Sequence, residues 1–497
     1  MPLLLPRPAS RRAVAVLVGL LTLALLALGA SPRTGAKAVT FHPAVSDFQF
    51  VTASETPPTQ AQCASVDRRC FNPQAIQNSY NLPPLYAQGF DGAGQTIAIV
   101  DSFGSDTIRH DLRVFNDAFG LPHLCGEEGV TCQPGMPTFD ELQQGNVNTT
   151  GQPPNNGTGQ ETHNLWALEV SLDVEWAHAV APRANLLLVT TPTAETLGVQ
   201  GFPDFFKAEE TVIKNHLAGV ITQSFASGEE AFNSTRSLLN LRYAFKDAQA
   251  AGITVLGSSG DGGTANFVKE PLKDPRLIPF PSVEWPASDP LVTGVGGTYL
   301  CTNPNTGVGV DNTSPPAQCQ NQPNREVGWI ASGGGFSHVF ARPAFQDALP
   351  AGSTAIPAAQ RGVPDVAYQA SSRTGVLVYI TNPGYSGIAC PGGTLCSAGW
   401  YVVGGTSSGS PQWAGLVSIA GQLNGGPIGY INPALYRIGS DPARYAADFY
   451  DVTTGNNQAD PRVPGYDATT GWDPVTGLGT PNAAVFLPDL VRAVHGN

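Results

Sequence analysis

The chain has 497 residues, of which 41% are hydrophobic and 13% are charged, and its net charge at pH 7 is −13. This apolar content can bury the core of one large domain, while 56 glycines and 43 prolines indicate a globular protein rich in loops. The negative charge argues against a nucleic-acid partner, because it would repel phosphates.

The N-terminal residues 1–38 have the pattern of a targeting segment. Arg7, Arg11 and Arg12 precede an unbroken apolar stretch over 13–30, and small residues allow cleavage after Ala30 or Ala38. An uncleaved stretch of this length would also be long enough to span a bilayer. We therefore expect a secreted protein, or a membrane-anchored one if the segment is retained.

The eight cysteines fall into four pairs of near neighbours, with none left over. Disulfides that close surface loops in an oxidising compartment are the expected arrangement. The pairs are Cys63 with Cys70, Cys125 with Cys132, Cys301 with Cys319, and Cys390 with Cys396.

Short apolar strands alternate with helical segments along the chain, after an extension expected over residues 39–75. This alternation predicts one α/β domain over 76–497, with a parallel sheet covered by helices on both faces. Strands are predicted at 96–101, 185–189, 219–224, 253–258, 292–295 and 376–379. Helices are predicted at 107–119, 161–181, 203–217, 229–250 and 411–423, and the Gly, Pro and Asn-rich stretch 121–160 predicts a long surface loop.

Ser407 is the first candidate for a catalytic residue. It lies in the run Gly-Gly-Thr-Ser-Ser-Gly-Ser-Pro at 404–411, directly before a predicted helix. The small neighbours permit a tight turn, and the N–H groups of a helix N-terminus stabilise developing negative charge. Taken alone, the run fits a loop that caps a helix better than it fits a nucleophile, so a catalytic role for Ser407 would need a base beside it.

A pair of acids on the predicted helix 161–181 is the best candidate for that base. Glu169 and Asp173 are four residues apart and so lie on one helical face, where two like charges favour sharing a proton. Glu175 is expected elsewhere on the helix, in solvent. A histidine base of the subtilase type, through His110 or His163, is an alternative, although neither has the expected sequence context.

Asp261 lies in a glycine-rich loop, Ser-Ser-Gly-Asp-Gly-Gly at 258–263, that follows a predicted strand. Strand ends of this kind build the sites of parallel sheets. A protonated Asp261 could donate a hydrogen bond to an oxyanion.

Together these segments resemble the sedolisin (serine-carboxyl peptidase) family, in its kumamolisin-like form. The resemblance covers about 78–490 and includes Tyr-Asn-Leu at 80–82, Ser-Gly-Gly-Gly at 332–335 and Arg-Gly-Val-Pro-Asp at 361–365. It implies an enlarged subtilisin-like fold with Ser407 as nucleophile, Glu169 as general base, Asp173 as its partner and Asp261 as oxyanion donor. Asp101 stands where relatives often have glutamate, Phe225 where they have tryptophan, and the usual large prodomain is expected to be lacking.

The resemblance also implies one structural calcium ion near the C-terminus. Two carboxylates with main-chain oxygens form a cage of hard ligands suited to Ca²⁺. The implied ligands are Asp451, Val452, Thr469, Gly471 and Asp473, with Asp467 as an alternative.

The function expected from the sequence is that of a secreted, acid-active, monomeric serine-carboxyl endopeptidase acting on polypeptides. Two alternatives remain open: a tripeptidyl exopeptidase, and a non-catalytic or membrane-tethered protein that uses a peptidase-like fold to bind surfaces.

Overall fold

The computed structural model describes residues 48–145, 160–192, 201–270, 274–381 and 398–496. The α-helices of these residues are α1 (Gln60–Ser65), α2 (Pro73–Ser79), α3 (Pro83–Tyr86), α4 (Ile108–Phe119), α5 (Gln160–Val180), α6 (Phe202–Lys214), α7 (Thr235–Leu241), α8 (Tyr243–Ala251), α9 (Thr406–Asn424), α10 (Asn432–Ser440), α11 (Pro442–Asp448) and α12 (Ala483–Val494).

The strands of the same residues are β1 (Phe48–Thr52), β2 (Arg69–Phe71), β3 (Thr96–Ser102), β4 (Phe139–Gln143), β5 (Asn185–Thr191), β6 (Val220–Gln223), β7 (Ser227–Gly228), β8 (Thr254–Ser258), β9 (Phe267–Glu270), β10 (Asp274–Leu277), β11 (Glu284–Trp285), β12 (Thr293–Leu300), β13 (Glu326–Gly328), β14 (Gly335–Phe336), β15 (Gly362–Val363), β16 (Val366–Gln369), β17 (Thr374–Ile380), β18 (Gly399–Val403), β19 (Phe449–Tyr450) and β20 (Thr480–Pro481).

The central sheet has the strand order β13-β12-β8-β6-β3-β5-β4, and β16 also pairs with β12. Its neighbours run parallel, except that β13 is antiparallel to β12. The predicted parallel sheet is therefore present. Its strands end together at one edge, where parallel sheets place their sites.

Both faces of the central sheet are buried. In β3, Ile97 and Ile99 join the core that includes α4, α5 and α9, whereas Ala98 and Val100 join the core of α6 and α8. Burial on both faces explains why this strand reads as an apolar run without alternation.

A second sheet has the order β1-β18-β17-β2. β1 is antiparallel to β18, the strand that leads into the Ser407 turn, and β2 is parallel to β17. The indole of Trp400 in β18 donates to the carbonyl of Glu55 at 2.9 Å. The expected boundary between the extension and the domain, at residues 75 and 76, falls within α2. Residues before that boundary are joined to the strands that support the Ser407 turn.

Two parts of the predicted secondary structure were wrong. Residues 121–160 were expected to form a surface loop, yet β4 lies within them as the outer strand of the central sheet, beside β5. The single helix expected over 229–250 is divided into a short 3₁₀ turn (Glu229–Ala231), α7 and α8. The expected helix is interrupted at Ser234, because the Ser234 hydroxyl accepts from the Ser237 N–H and so caps the N-terminus of α7.

Three of the expected disulfides, Cys63–Cys70, Cys125–Cys132 and Cys301–Cys319, are formed. Cys390, Cys396 and the targeting segment 1–38 lie outside the described residues. Within the part of the chain that the structure describes, no helix combines the length and hydrophobicity needed to cross a bilayer.

Candidate active site

The candidate site lies at the carboxyl ends of the central strands. Asp101 is near the end of β3, Ser224 follows β6 directly, and Asp261 lies in the loop after β8. Ser407 is in the first turn of α9, which begins at Thr406 rather than at the expected 411. The fold therefore brings the predicted serine and acids to one edge of the sheet.

Two features of α9 bring Ser407 close to α5. A Cβ atom on Gly415 would lie 2.8 Å from Cβ of Val180, so the glycine permits a close approach of the two helices. Gly405, at the N-cap, has a φ of 102°, a conformation that favours glycine over other residues. The small residues around Ser407 thus serve both the turn and the packing of its helix.

Glu169 and Asp173 lie on α5 and are fully buried. Burial raises the pKa of Glu169 well above its ordinary value, and the negative charges of Asp173 and Asp101 raise it further. The pKa of Asp173 is raised by burial and by Asp101. The groups that shift these two pKa values include no cation. The pair therefore holds a proton to a higher pH than a free carboxylic acid would.

The Ser407 hydroxyl lies close enough to Glu169 to lower the pKa of that carboxyl. Neither Oγ of Ser407 nor the carboxyl oxygens of Glu169 has a partner at good hydrogen-bond geometry among the described residues. Catalytic hydrogen bonds are often long before substrate binds. Ser224 lowers the pKa of Asp173 through its hydroxyl and so stabilises the charged form of that acid. This contribution of Ser224 was not predicted from the sequence.

Asp261 is tied to the turn that carries Ser407. Its Oδ1 accepts from the Thr406 N–H at 2.8 Å and from the Thr406 hydroxyl at 2.9 Å. The Gly260 N–H in turn donates to Oγ1 of Thr406 at 3.1 Å. Thr406 therefore positions Asp261 relative to Ser407. This role of Thr406 was not predicted from the sequence.

Glu175 is not in solvent, contrary to expectation. It is fully buried, and its Oε2 accepts from the Tyr379 N–H of β17 at 3.1 Å. Burial raises the pKa of this carboxyl well above its ordinary value. The acid therefore joins α5 to the second sheet.

The histidines with described side chains do not supply a base at Ser407. His110 contacts Glu128, with 2.6 Å between Nδ1 and Oε2, on the surface of α4. His178, on the last turn of α5, contacts the carbonyl of Pro122, and burial lowers its pKa to about 4. The side chain of His163 lies outside the described part.

Phe225, where the family resemblance implies a tryptophan, is fully buried among aromatic rings. Its ring centroid is 4.1 Å from that of Phe205, which lies 6.0 Å from the ring of Trp166 on α5. Phe225 thus packs the N-terminal half of α5 against α6, and its ring supplies no N–H donor.

The expected calcium ligands lie in two neighbouring segments. The Gly471 N–H donates to both carboxyl oxygens of Asp451, at 3.2 and 3.0 Å. Asp473 accepts from the N–H groups of Thr469, Val475 and Thr476. Burial raises the pKa of Asp451, and it raises that of Asp473 to about 7.

These residues fit a hard cation, because burial disfavours both carboxylates and the groups that stabilise them are neutral donors. In the described ranges, no cluster of three or more His, Cys, Asp or Glu side chains is found that could hold a metal. A calcium cage would therefore need the carbonyl oxygens of Val452, Thr469 and Gly471. The alternative, Asp467, instead accepts from the Asn456 side chain at 2.7 Å.

Comparison with known proteins gives consistent relatives, although no family model matches the chain. The chain is 29% identical to kumamolisin of Bacillus sp. (strain MN-32) over 442 residues, which cover 87% of this chain and 66% of that protein. It is 29% identical to tripeptidyl-peptidase 1 of Rattus norvegicus over 353 residues, covering 67% of this chain and 54% of that protein. The chain thus spans just under two thirds of the first relative and about half of the second.

Among solved structures, the chain is similar to a Pseudomonas sedolisin, a serine-carboxyl proteinase complexed with two molecules of pseudo-iodotyrostatin. The TM-score is 0.60 at 24% identity, covering 85% of this chain and 98% of that structure. This likeness confirms the predicted subtilisin-like α/β fold, with a central parallel sheet between helices.

Proposed function

The chain belongs to the sedolisin family, and from this premise we propose that it is a serine-carboxyl peptidase that hydrolyses polypeptides through Ser407. The observation that carries the proposal is the approach of the Ser407 hydroxyl to Glu169, which is buried beside Asp173 and Asp101. A serine hydroxyl becomes an effective nucleophile only when such a base removes its proton.

In the proposed reaction, Oγ of Ser407 attacks the carbonyl carbon of the scissile bond while Glu169 accepts the hydroxyl proton. Glu169 then gives that proton to the departing amine, and the C–N bond breaks to leave an ester on Ser407. Water, deprotonated by Glu169, attacks the ester and releases the carboxyl product, and the proton returns to Ser407.

Asp261 is the proposed donor to the oxyanion that forms at the scissile carbonyl. It is held beside the nucleophile by two donors of Thr406, both to Oδ1. A protonated carboxyl can donate through its other oxygen, as the amide donors of other serine peptidases do.

An acidic optimum follows from the choice of base. A histidine, with an ordinary pKa of about 6.5, is protonated in acid and cannot accept another proton. The two carboxyls titrate as a coupled pair, and once the pair has lost the first of its protons, one oxygen can accept the proton of Ser407. We expect a rate maximum below pH 6, and a maximum near pH 8 would contradict the assignment of Glu169.

The proposal is tested by comparing Ser407→Ala with Ser418→Ala on a denatured protein between pH 3 and pH 5. Ser418 is the matched control, since it is a buried serine without a hydrogen-bond partner among the described residues, further along α9. Loss of cleavage in Ser407→Ala alone supports the proposal. Equal cleavage in both variants and the unaltered protein, or none in any, overturns it.

An endopeptidase is proposed in preference to a tripeptidyl exopeptidase, because no acidic group that would bind a substrate N-terminus is identified in the sequence. Cleavage of peptides with acetylated N-termini distinguishes the two activities. If acetylation abolishes cleavage of peptides that are otherwise cut, the protein is a tripeptidyl exopeptidase rather than an endopeptidase.

The non-catalytic alternative is favoured by one observation, the complete burial of Ser407. Under that alternative the protein would bind polypeptides without cutting them. The Ser407→Ala comparison separates the two, because a binding protein would show no cleavage in any form.

We further propose that Asp451, Val452, Thr469, Gly471 and Asp473 hold one structural Ca²⁺ ion, and that the protein is secreted as a monomer or retained by its N-terminal segment. The cation would neutralise two carboxylates that burial otherwise disfavours, and so stabilise the segment that joins them. Isothermal titration with Ca²⁺ tests the site directly.

A further inference from the structure

The first turn of α9 contains two further serines after Ser407, and both of their hydroxyls are already engaged. Oγ of Ser408 lies 2.9 Å from Oε1 of Gln369, the last residue of β16. Oγ of Ser410 lies 2.8 Å from Oγ1 of Thr222 on β6. All four of these side chains are fully buried. The turn is therefore attached to two strands through the neighbours of Ser407.

The orientation of the Gln369 amide follows from its partners. Its Nε2 lies 2.9 Å from the carbonyl oxygen of Ser371 and 2.8 Å from that of Thr374. Only the NH₂ group can donate to two carbonyls, so Oε1 is the atom that faces Ser408. Because Oε1 can only accept, the Ser408 hydroxyl donates its proton to Gln369. That proton is therefore committed to the amide, and the bond has a single direction.

Gln412, one turn further along α9, contacts the same serine from the other side of the hydroxyl. Its Nε2 donates to the carbonyl of Ser408 at 2.6 Å and to Oγ of Ser408 at 3.1 Å. Oγ of Ser408 thus accepts from one glutamine and donates to the other. Hydrogen bonds linked in this way polarise and strengthen one another.

Gln369 is itself held by groups outside the turn. Its N–H donates to the hydroxyl of Tyr80 at 3.0 Å, and that hydroxyl donates to Oε1 of Glu326 at 2.8 Å. The carbonyl of the next residue, Ala370, accepts from the Gly405 N–H at 2.5 Å. The end of β16 is therefore a fixed point against which the turn is placed.

We propose that Gln369 is a positioning residue for Ser407 that acts through Ser408, on the premise of the peptidase function proposed above. Ser408 directly follows the nucleophile in the first turn of α9, so its bond to Gln369 holds the backbone that carries Ser407. A displacement of about 1 Å at a reacting group can lower the rate about 100-fold. Loss of this bond should therefore lower kcat, whereas substrate binding should change little.

The test measures kcat and KM at pH 3 on acid-denatured haemoglobin. Gln369→Met keeps the shape of the side chain and removes the acceptor, whereas Gln369→Glu keeps an acceptor because its carboxyl is neutral at this pH. We expect Ser408→Ala and Gln369→Met each to lower kcat about tenfold or more with KM within about threefold. Gln369→Glu should retain kcat within about threefold, since it can still accept from Ser408.

The double variant Ser408→Ala/Gln369→Met should have about the kcat of either single variant, because both changes remove the same bond. Gln346→Met is the matched control. Gln346 is also buried, but its amide donates to the carbonyl of Gly362 and the hydroxyl of Tyr436. This control should keep its kcat within about threefold, although it also loses stability in urea.

Urea unfolding at pH 3 checks that each variant folds, and the small change in Ser408→Ala keeps the test decisive if Gln369→Met does not. Unchanged kcat in Ser408→Ala, losses that add in the double variant, or an equal loss in Gln346→Met would each overturn the positioning role. A loss in Gln369→Glu as large as in Gln369→Met would also overturn it. Absence of cleavage by the unaltered protein would instead contradict the peptidase function, and the positioning role with it.

Discussion

Replacement of Glu169 by glutamine should change how the stability of the protein depends on pH. Burial and the neighbouring charges of Asp173 and Asp101 raise the pKa of Glu169 in the folded state above its ordinary value of 4.5. Between these two pKa values the unfolded chain has lost the proton and the folded chain has kept it. Stability therefore falls as pH rises through this interval.

The size of the effect follows from proton linkage. The contribution of one such group changes by up to about 1.4 kcal/mol for each pH unit within the interval. Glutamine has a similar shape and does not titrate, so Glu169→Gln removes this loss. The free energies of unfolding of the variant and its parent should be nearest at pH 4 and should diverge, in favour of the variant, towards pH 7.

Urea unfolding at pH 4, 5, 6 and 7 measures this difference. Ser407→Ala serves as the parent, to prevent self-digestion, and Asp140→Asn is the control because Asp140 is an exposed carboxyl on β4. Since burial and Asp101 also raise the pKa of Asp173, Glu169→Gln/Asp173→Asn should flatten the profile further. Parallel profiles for the parent and Glu169→Gln would refute the reasoning, because they would mean that Glu169 is ionised in the folded protein.

Three other predictions test the supporting contacts. Thr406→Val removes a hydroxyl that donates to Asp261 and should lower kcat about tenfold with little change in KM; an unchanged kcat would contradict the positioning role. Gly415→Val should destabilise by about 1–3 kcal/mol in urea, because even its Cβ would lie 2.8 Å from a side-chain carbon of α5, and an unchanged midpoint would refute the close packing. Calcium at 100 times its Kd should stabilise by about 2.7 kcal/mol in thermal unfolding. Asp473→Asn should remove this gain in stability, and Asp467→Asn should retain it. The reverse result would mean that Asp467, rather than Asp473, binds the ion.

The central strands could be predicted from the sequence because their environment is uniform. β3, β5 and β8 are covered on both faces, so each requires a short apolar run that is visible without knowledge of its neighbours. β4 was missed for the opposite reason. Among the described strands it pairs with β5 alone, and its sequence Phe-Asp-Glu-Leu-Gln alternates exposed and buried positions only in part.

The candidate site was predictable to the extent that its residues share local patterns. The spacing of Glu169 and Asp173 fixes their common helical face, whereas the surroundings of Glu175 depend on the Tyr379 N–H, 204 residues away in the sequence. A carboxyl on a helix gives no local sign of whether a distant strand will cover it. For the same reason the bond between Thr406 and Asp261, 145 residues apart, emerged only from the fold.

The pairing of β1 with β18 has a consequence for how the chain folds. Glu55 and Trp400, which meet across this edge, are separated by 345 residues. Contacts between such distant segments slow folding, because the entropy of closing the loop is lost before the contacts form. During synthesis the support of the Ser407 turn must therefore wait for nearly the whole chain, and a partly made chain has no assembled site.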